Sequence, residues 1–237
     1  MQLLVLGATG GIGVEIVRQA IDRGHSVTAM VRTPQRLSAF AGRIRLIQGN
    51  VLNVTELGTA LEGADAVLSA FGPRLPLSKS DSDLLERFAS TLINAMLPSK
   101  VRRAVIVSTA FLFKDSIIPP TYLFGRLLFP SVVADASEME RIVTNSTLDW
   151  TMVRPPQLTD KPSSGKYRIR EEHLPAFGFK IARSDVARDT AAPADCACHC
   201  RFEAPALRAV SRSYRLNLNT RLSNATLMDR GRGNRRR

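Results

Sequence analysis

The chain has 237 residues, 44% of them hydrophobic, and a formal net charge of +12 at pH 7. This length and composition are typical of one globular domain with or without a tail, they exclude a disordered chain, and no stretch approaches the roughly 18 continuous apolar residues of a membrane helix. Residues 1–187 contain 22 Lys and Arg against 17 Asp and Glu, so more than half of the positive excess lies in the last fifty residues, which argues against a nucleic-acid-binding body.

Apolar runs alternate with amphipathic stretches along the first 155 residues. The pattern predicts strands at Leu3–Leu6, Ser26–Val31, Arg43–Gln48, Ala64–Ser69, Ala104–Val107 and Trp150–Val153, and helices at Gly11–Asp22, Ser80–Leu97 and Ser131–Asn145. Ser80 followed by Asp83 is a capping pattern for the second helix. This alternation predicts an α/β fold of the Rossmann type, a doubly wound parallel sheet that binds ligands at the carboxyl ends of its strands.

A glycine-rich loop connects the first predicted strand to the first predicted helix. Gly7, Gly10 and Gly13 stand in the spacing G-x-x-G-x-x-G, a pattern of dinucleotide sites in this strand–helix context. We expect Gly7 to allow the turn, Gly10 to let the backbone approach a diphosphate, and Gly13 to let the helix pack closely. The N–H groups at the helix start would receive the negative charge, so the predicted cofactor loop also includes Thr9, Gly11 and Ile12.

The second strand ends without the acidic residue that usually holds the ribose 2′-hydroxyl of NAD. It ends instead in Arg32, and Arg36 follows four residues later. A guanidinium pairs with a 2′-phosphate and gains little from a bare hydroxyl. The sequence therefore favours NADP over NAD, with a solvated surface arginine as the alternative interpretation of Arg32.

At this point the sequence resembles the atypical short-chain dehydrogenase/reductases of the NmrA-like, biliverdin-reductase-B-like group. The resemblance covers roughly residues 1–187. The matching segments are GATGGIG at 7–13, VTAMVR at 27–32, GNVLN at 49–53, DAVLSAFG at 65–72, VSTAF at 107–111, LDWTMVRPPQLTD at 148–160 and RSDVA at 183–187.

The resemblance implies roles for the matching positions. It places Arg32 at the 2′-phosphate and Asn50 and Val51 by the adenine, where family members often carry Asp in place of Asn50. It further implies that the cofactor ribose and nicotinamide are contacted by Ala70, Phe71, Gly72, Ser108, Thr109 and Pro155.

Two catalytic candidates follow from the same resemblance, Ser108 and Tyr122. Typical short-chain dehydrogenases pair a serine with Tyr-x-x-x-Lys, a pair that the atypical group does not generally keep. Here Arg126 stands in the lysine position, and a packed lid segment is the alternative interpretation of Tyr122. Hydride transfer to a flavin or quinone needs no protein proton donor, and Phe111 could then wall the acceptor, unless it packs in the core. Glu140, on the third predicted helix, could face this pocket. We expect instead that the helix presents it to solvent.

These features predict an NADPH-dependent reductase that acts on a flavin, quinone or small-carbonyl acceptor. The alternative is a non-catalytic NADP-sensing regulator that binds partner proteins. We expect a cytoplasmic protein with no membrane partner and no specific nucleic-acid partner, because no signal peptide precedes the first strand. Cys196, Cys198 and Cys200 lie too close together for a tetrahedral metal site, so none is predicted.

The predicted domain ends at residue 187, and residues 188–237 are predicted to form a basic, poorly ordered tail. The tail is rich in Arg, Ala, Asn and Ser and has no clear periodicity. Because the family resemblance stops abruptly here, a shifted reading frame or an unusual fusion is one hypothesis for its origin.

Overall fold

The computed structural model describes residues 1–73, 82–112, 121–165, 167–168 and 180–191, with no side-chain account of positions 121, 122, 124 and 125. Its centre is a six-stranded, fully parallel sheet in the order β3-β2-β1-β4-β5-β6. The strands are β1 (Gln2–Leu6), β2 (Ser26–Val31), β3 (Arg45–Gln48), β4 (Ala66–Ser69), β5 (Arg103–Val107) and β6 (Asp149–Val153). The predicted Rossmann-type fold is confirmed.

Helices cover both faces of this sheet. They are α1 (Gly11–Asp22), α2 (Val54–Ala60), α3 (Leu84–Met96), α4 (Thr121–Leu128), α5 (Pro130–Thr144) and α6 (Arg183–Ala191), with short 3-10 helices at Pro34–Phe40 and Ala110–Leu112. A separate parallel pair joins β7 (Gln157–Thr159) to β8 (Lys180–Ala182). No helix within the described residues is long and apolar enough to span a bilayer.

Strand β1 shows why the central strands are continuously apolar. Leu3 and Val5 are buried in the core that includes α1 and α6, whereas Leu4 and Leu6 are buried in the core that includes α2, α3 and α5. Successive side chains of a strand point to opposite faces, so a strand covered on both faces has no polar side. Each fully buried leucine contributes about 1.5–3 kcal/mol, and together these contacts hold the carboxyl end of β1 in the centre of the sheet.

Several predicted element boundaries were wrong by one or more residues. Strand β3 begins at Arg45 rather than Arg43, because the Arg43 N–H donates to the Phe40 carbonyl in a turn. Helices α2, α4 and α6 and strands β7 and β8 were not predicted from the sequence. The predicted domain end at residue 187 falls inside α6, whose buried residues continue to Thr190 and Ala191.

The start of α3 is capped from a distant helix rather than by the predicted Ser80–Asp83 pattern. Helix α3 begins at Leu84, and its N-cap Asp83 makes no side-chain capping bond, while Ser80 lies outside the described residues. The Leu85 and Glu86 N–H groups instead donate to the two carboxylate oxygens of buried Asp135 on α5, both at 2.9 Å. Burial raises the pKa of Asp135, although these two hydrogen bonds oppose the rise.

We predict that Asp135→Ala lowers the free energy of unfolding by about 1–2 kcal/mol, because two N–H groups of α3 lose their capping carboxylate. Urea denaturation measures the change. The matched control is Asp83→Ala at the exposed N-cap position, which should cost less than about 0.5 kcal/mol because only its exposed ion pair with Arg87 is lost. Equal losses in the two variants would contradict the capping role of Asp135.

Candidate functional site

A cavity of about 470 Å³ opens at the carboxyl ends of β1, β2 and β4. The strand order of the sheet reverses here, between β1 and β4. Ligands of doubly wound sheets bind at this switch point. Of the residues that the sequence analysis assigned to the cofactor, the lining includes Gly7, Thr9, Gly10, Gly11, Ile12, Arg32, Asn50, Val51, Ala70, Phe71 and Gly72.

The three motif glycines differ in what their surroundings permit. Gly7 has a φ of +74°, and a Cβ there would lie 2.6 Å from the backbone of Ala70 and Phe71. A Cβ on Gly13 would lie 2.1 Å from the Gly7 carbonyl oxygen, so the first turn of α1 packs directly on the loop. A Cβ on Gly10 would have 3.4 Å to the same oxygen, an ordinary contact. The protein therefore excludes side chains at Gly7 and Gly13 but not at Gly10.

The N-terminus of α1 meets the cavity without a capping side chain. Gly10 is the N-cap, and the first turn of α1 contains no acidic residue. The first turn of a helix carries partial positive charge and N–H groups that suit a phosphate or diphosphate. The glycine loop therefore fits the diphosphate of a dinucleotide.

Arg32 lines the cavity at the end of β2, whereas the predicted cofactor residue Arg36 does not. Arg36 is exposed in the 3-10 helix Pro34–Phe40. Within the described part of the chain, the cavity lining contains two arginines and neither Asp nor Glu. This end of the cavity can accept an additional negative charge.

The loop after β3 is held by its own polar side chains. The Asn50 Oδ1 accepts the Leu52 N–H at 3.1 Å, and the Glu56 carboxylate accepts the Asn50 N–H at 2.7 Å and an amide hydrogen of Asn53 at 2.9 Å. In return, Asn53 caps α2 through the N–H groups of Thr55 and Glu56. These bonds fix the wall of the cavity, and the expected contact of Asn50 with adenine stays a prediction.

A second polar group lies at the ends of β5 and β6. Glu140 of α5 is only 6% exposed and accepts the Ser108 hydroxyl at 2.5 Å and the Arg154 Nε at 2.9 Å. A second guanidinium nitrogen of Arg154 binds the other oxygen of Glu140. The expectation that Glu140 faces solvent was wrong. Its position seven residues after Val133 and three before Val143, both buried, was the signal that could have placed it inside.

This cluster determines the direction of the Ser108 hydrogen bond. Both oxygens of Glu140 accept hydrogen bonds from the Arg154 guanidinium, and a carboxylate can only accept hydrogen bonds. The hydroxyl hydrogen of Ser108 therefore points to Glu140, which leaves the lone pairs of the oxygen for a ligand. Nearby, the Thr109 Oγ1 accepts the Phe111 N–H at 3.3 Å, and the Pro155 carbonyl accepts the Ala110 N–H at 3.2 Å.

The predicted site residues thus fall into two groups. Ser108 binds Glu140, and Thr109 and Pro155 are the chain neighbours of Ser108 and of Arg154, the two residues that bind Glu140. None of these three predicted residues lines the cavity beside the glycine loop, and Gly13 packs against the Gly7 carbonyl within that loop. The cavity lining also contains residues that the sequence analysis did not select, among them Met30, Leu52, Leu84, Leu158 and Arg183.

The remaining candidates are only partly placed. The side chain of Tyr122 and the segment that contains Cys196, Cys198 and Cys200 lie outside the described residues. The Phe111 ring stacks on Phe129 with centroids 6.0 Å apart, which supports its interpretation as a packing residue. Across the described ranges, no group of three or more His, Cys, Asp or Glu residues could hold a metal ion.

A parallel sheet in this order, with a glycine-rich turn at a helix N-terminus, defines a dinucleotide-binding Rossmann domain. Residues 7–194 match the family described as NAD(P)H-binding, and the chain belongs to this family.

Two relatives illustrate the range of proteins that share this domain. The photosystem II assembly factor Ycf39 of Synechocystis is 36% identical over 110 residues, which cover 46% of this chain and 33% of that factor. The chain therefore spans about a third of the length of this relative. The reductase pytE of Aspergillus terreus is 24% identical over 228 residues, which cover 77% of this chain and 87% of the reductase.

Solved structures share the fold over most of the chain. An NAD-dependent epimerase/dehydratase-class protein of Bacillus halodurans superposes with a TM-score of 0.72, 24% identity and coverage of 83% of this chain and 88% of its own. ChuY, an anaerobilin reductase from Escherichia coli O157:H7, superposes with a TM-score of 0.67 and 20% identity. The match covers 84% of this chain and 92% of ChuY. A short-chain dehydrogenase/reductase of Veillonella parvula in complex with NADP superposes with a TM-score of 0.63 and 20% identity. The match covers 79% of this chain and 84% of the Veillonella chain.

The glycine geometry predicts opposite behaviour for two alanine variants. Gly13→Ala should lower the free energy of unfolding by about 1–3 kcal/mol, because its methyl group overlaps the Gly7 carbonyl. Gly10→Ala should leave the melting temperature nearly unchanged but weaken cofactor binding, since its methyl group makes only an ordinary contact with the Gly7 carbonyl oxygen and Gly10 lines the cavity. Thermal melts and calorimetric titration with NADPH separate the two effects. A Gly10→Ala protein that binds normally would contradict the placement of the diphosphate.

Proposed function

We propose that the protein is an NADPH-dependent reductase that transfers a hydride to a flavin, quinone or small-carbonyl acceptor. The observation that carries the proposal is the cavity, which joins the uncapped N-terminus of α1 to Arg32 and has no acidic lining residue among those described. Membership of the NAD(P)H-binding family and the reductases among its relatives support an oxidoreductase. A cytoplasmic location stays a prediction.

The choice of NADP rests on charge at the end of β2. An acidic residue there would bind a ribose 2′-hydroxyl and repel a 2′-phosphate, whereas Arg32 can donate to the phosphate oxygens. Gly49 and Met30 form the adjoining floor, where a Cβ on Gly49 would lie 2.6 Å from the Met30 side chain. At this end of the cavity, Gly49 and Met30 therefore pack closely, and the Arg32 guanidinium supplies one positive charge.

The Ser108 cluster supports an acceptor that needs no proton from the protein. When bound, a reduced nicotinamide supplies the hydride. Ser108 directs its hydrogen to Glu140, so its free lone pairs can orient an amide or other N–H donor but the side chain is poorly placed to protonate an alkoxide. A flavin or quinone can take its proton from solvent, and we therefore favour these acceptors over a carbonyl.

One observation supports the alternative of a regulatory protein. Helix α4 exposes Leu123, Leu127 and Leu128, and Leu127 is 76% exposed. Exposed apolar side chains spaced along one helix are typical of protein-binding surfaces. Tight NADP binding without NADPH oxidation in the presence of flavins, quinones or aldehydes would favour an NADP-sensing regulator, whereas steady oxidation with any of these acceptors would favour the reductase.

We expect Arg32→Ala to weaken NADPH binding by about 10- to 100-fold, because a charge-assisted hydrogen bond to the 2′-phosphate contributes about 1.5–3 kcal/mol. NADH binding should change little, since NADH has no 2′-phosphate. Calorimetric titration of both nucleotides measures the two affinities. Arg36→Ala is the matched control and should resemble the wild type, because Arg36 lies outside the cavity. Equal losses for NADPH and NADH would contradict the assignment of Arg32.

If the protein is a reductase, Ser108→Ala should lower kcat about two- to tenfold, as expected for the loss of one orienting hydrogen bond. The dependence of kcat on pH should remain that of the wild type, because Ser108 does not deliver the proton. Exposed Ser131 offers a control, Ser131→Ala, with unchanged kinetics. A fall of about a thousandfold together with an altered pH profile would mean that Ser108 takes part in proton transfer.

A further inference from the structure

Arg183 lies far from the glycine loop in the sequence, yet it lines the same cofactor cavity. It follows β8 directly, is the first residue of α6, and lines the cavity beside the glycine loop. Helix α6 packs along α1, and the Gln19 side chain of α1 donates to the Ser184 carbonyl at 2.8 Å. The backbone of Arg183 is therefore held against the helix whose N-terminus faces the cavity.

The Arg183 side chain lies over Gly11. A Cβ on Gly11 would be 2.6 Å from the Arg183 Cδ and 2.8 Å from its Nε. The absence of a side chain at Gly11 therefore has a different effect from that at Gly7, where the chain turns, and at Gly13, where the helix packs closely. At Gly11 it leaves the space that the Arg183 side chain occupies. The guanidinium lies next to the first turn of α1, the part of the cavity that fits a diphosphate.

The present partner of Arg183 holds it only weakly. Its guanidinium pairs with Asp160, whose side chain is 90% exposed, while that of Arg183 is 29% exposed. Ion pairs with so exposed a partner contribute little to stability because water and salt screen them. A buried or half-enclosed phosphate group offers stronger, charge-assisted hydrogen bonds to a guanidinium.

We propose that Arg183 exchanges Asp160 for the diphosphate bridge of the bound dinucleotide and acts with the N-terminus of α1 as a second ligand for that group. The inference rests on the proposed dinucleotide site and extends it to a residue about 170 positions from the glycine loop in sequence. The diphosphate is common to NADP and NAD, so Arg183 contributes to binding of both, whereas Arg32 discriminates between them.

Calorimetric titration of Arg183→Ala with NADPH, NADH and adenosine 2′-monophosphate tests this division. We expect about a 10- to 100-fold loss of affinity for both dinucleotides, by the same factor, and no loss for adenosine 2′-monophosphate, which has no diphosphate. Arg32→Ala should behave in the opposite way, with losses for NADPH and adenosine 2′-monophosphate. Circular dichroism melts of each variant establish that the fold is intact.

Two further variants test the geometry. Asp160→Asn removes the competing carboxylate and should raise the affinity for both dinucleotides about two- to fivefold. Gly11→Ala should weaken binding in the wild-type background by displacing Arg183 but add little to the loss in Arg183→Ala, a non-additivity that a double-mutant cycle measures.

Unchanged dinucleotide affinity in a folded Arg183→Ala protein would overturn the role of Arg183 and leave the proposed function intact. A loss confined to NADPH would also overturn it, because Arg183 would then contact the 2′-phosphate. A folded wild-type protein that binds neither dinucleotide would overturn both the inference and the proposed function.

Discussion

The turn that joins β1 to α1 lies so close to the segment that follows β4 that no side chain fits at Gly7, and the first turn of α1 packs so closely on this turn that none fits at Gly13. The rest of the site depends on this contact. It sets the start of α1 at the carboxyl end of β1, and it places Ala70 and Phe71 on the other side of the same cavity. Since both β1 and β4 are buried on their two faces, the contact cannot relax without disturbing the core on either side of the sheet.

The charges around the cavity follow a consistent division. The two lining arginines, Arg32 and Arg183, stand near the positions where negative charge would bind. Carboxylates nearby serve the architecture instead. Glu56 holds the loop after β3, and Asp135 caps α3.

Asp185 extends this pattern to the segment before β8. Burial acts to raise its pKa, but hydrogen bonds from Ser163, Ser164 and Gly165 outweigh that effect and hold the pKa of Asp185 below its usual range. The carboxylate that fixes this segment lies two residues after Arg183. An anionic ligand would therefore meet the positive charge of Arg32, Arg183 and a helix N-terminus, while Glu56, Asp135 and Asp185 accept hydrogen bonds from backbone N–H groups.

The parallel sheet, the glycine loop and the place of Arg32 beside the cavity could be predicted from the sequence, because these depend on local patterns: strand–helix alternation, glycine spacing and the residue that follows β2. The sequence was insufficient for contacts that join distant segments. The capping of α3 by Asp135 crosses about 50 residues, and Arg183 meets Gly11 across about 170, so no local rule connects them. Glu140 was misplaced for a different reason, since its charge was weighed above its helical spacing with Val133 and Val143.

The most direct test of the account is a crystal structure of the protein grown with NADP. We expect the diphosphate at the N-terminus of α1, within hydrogen-bond distance of the Gly11 and Ile12 N–H groups, with the 2′-phosphate beside Arg32. Density for the cofactor elsewhere, or a cofactor whose adenosine lies toward Ser108 and away from Arg32, would contradict the central claim that this cavity is built for a phosphorylated dinucleotide.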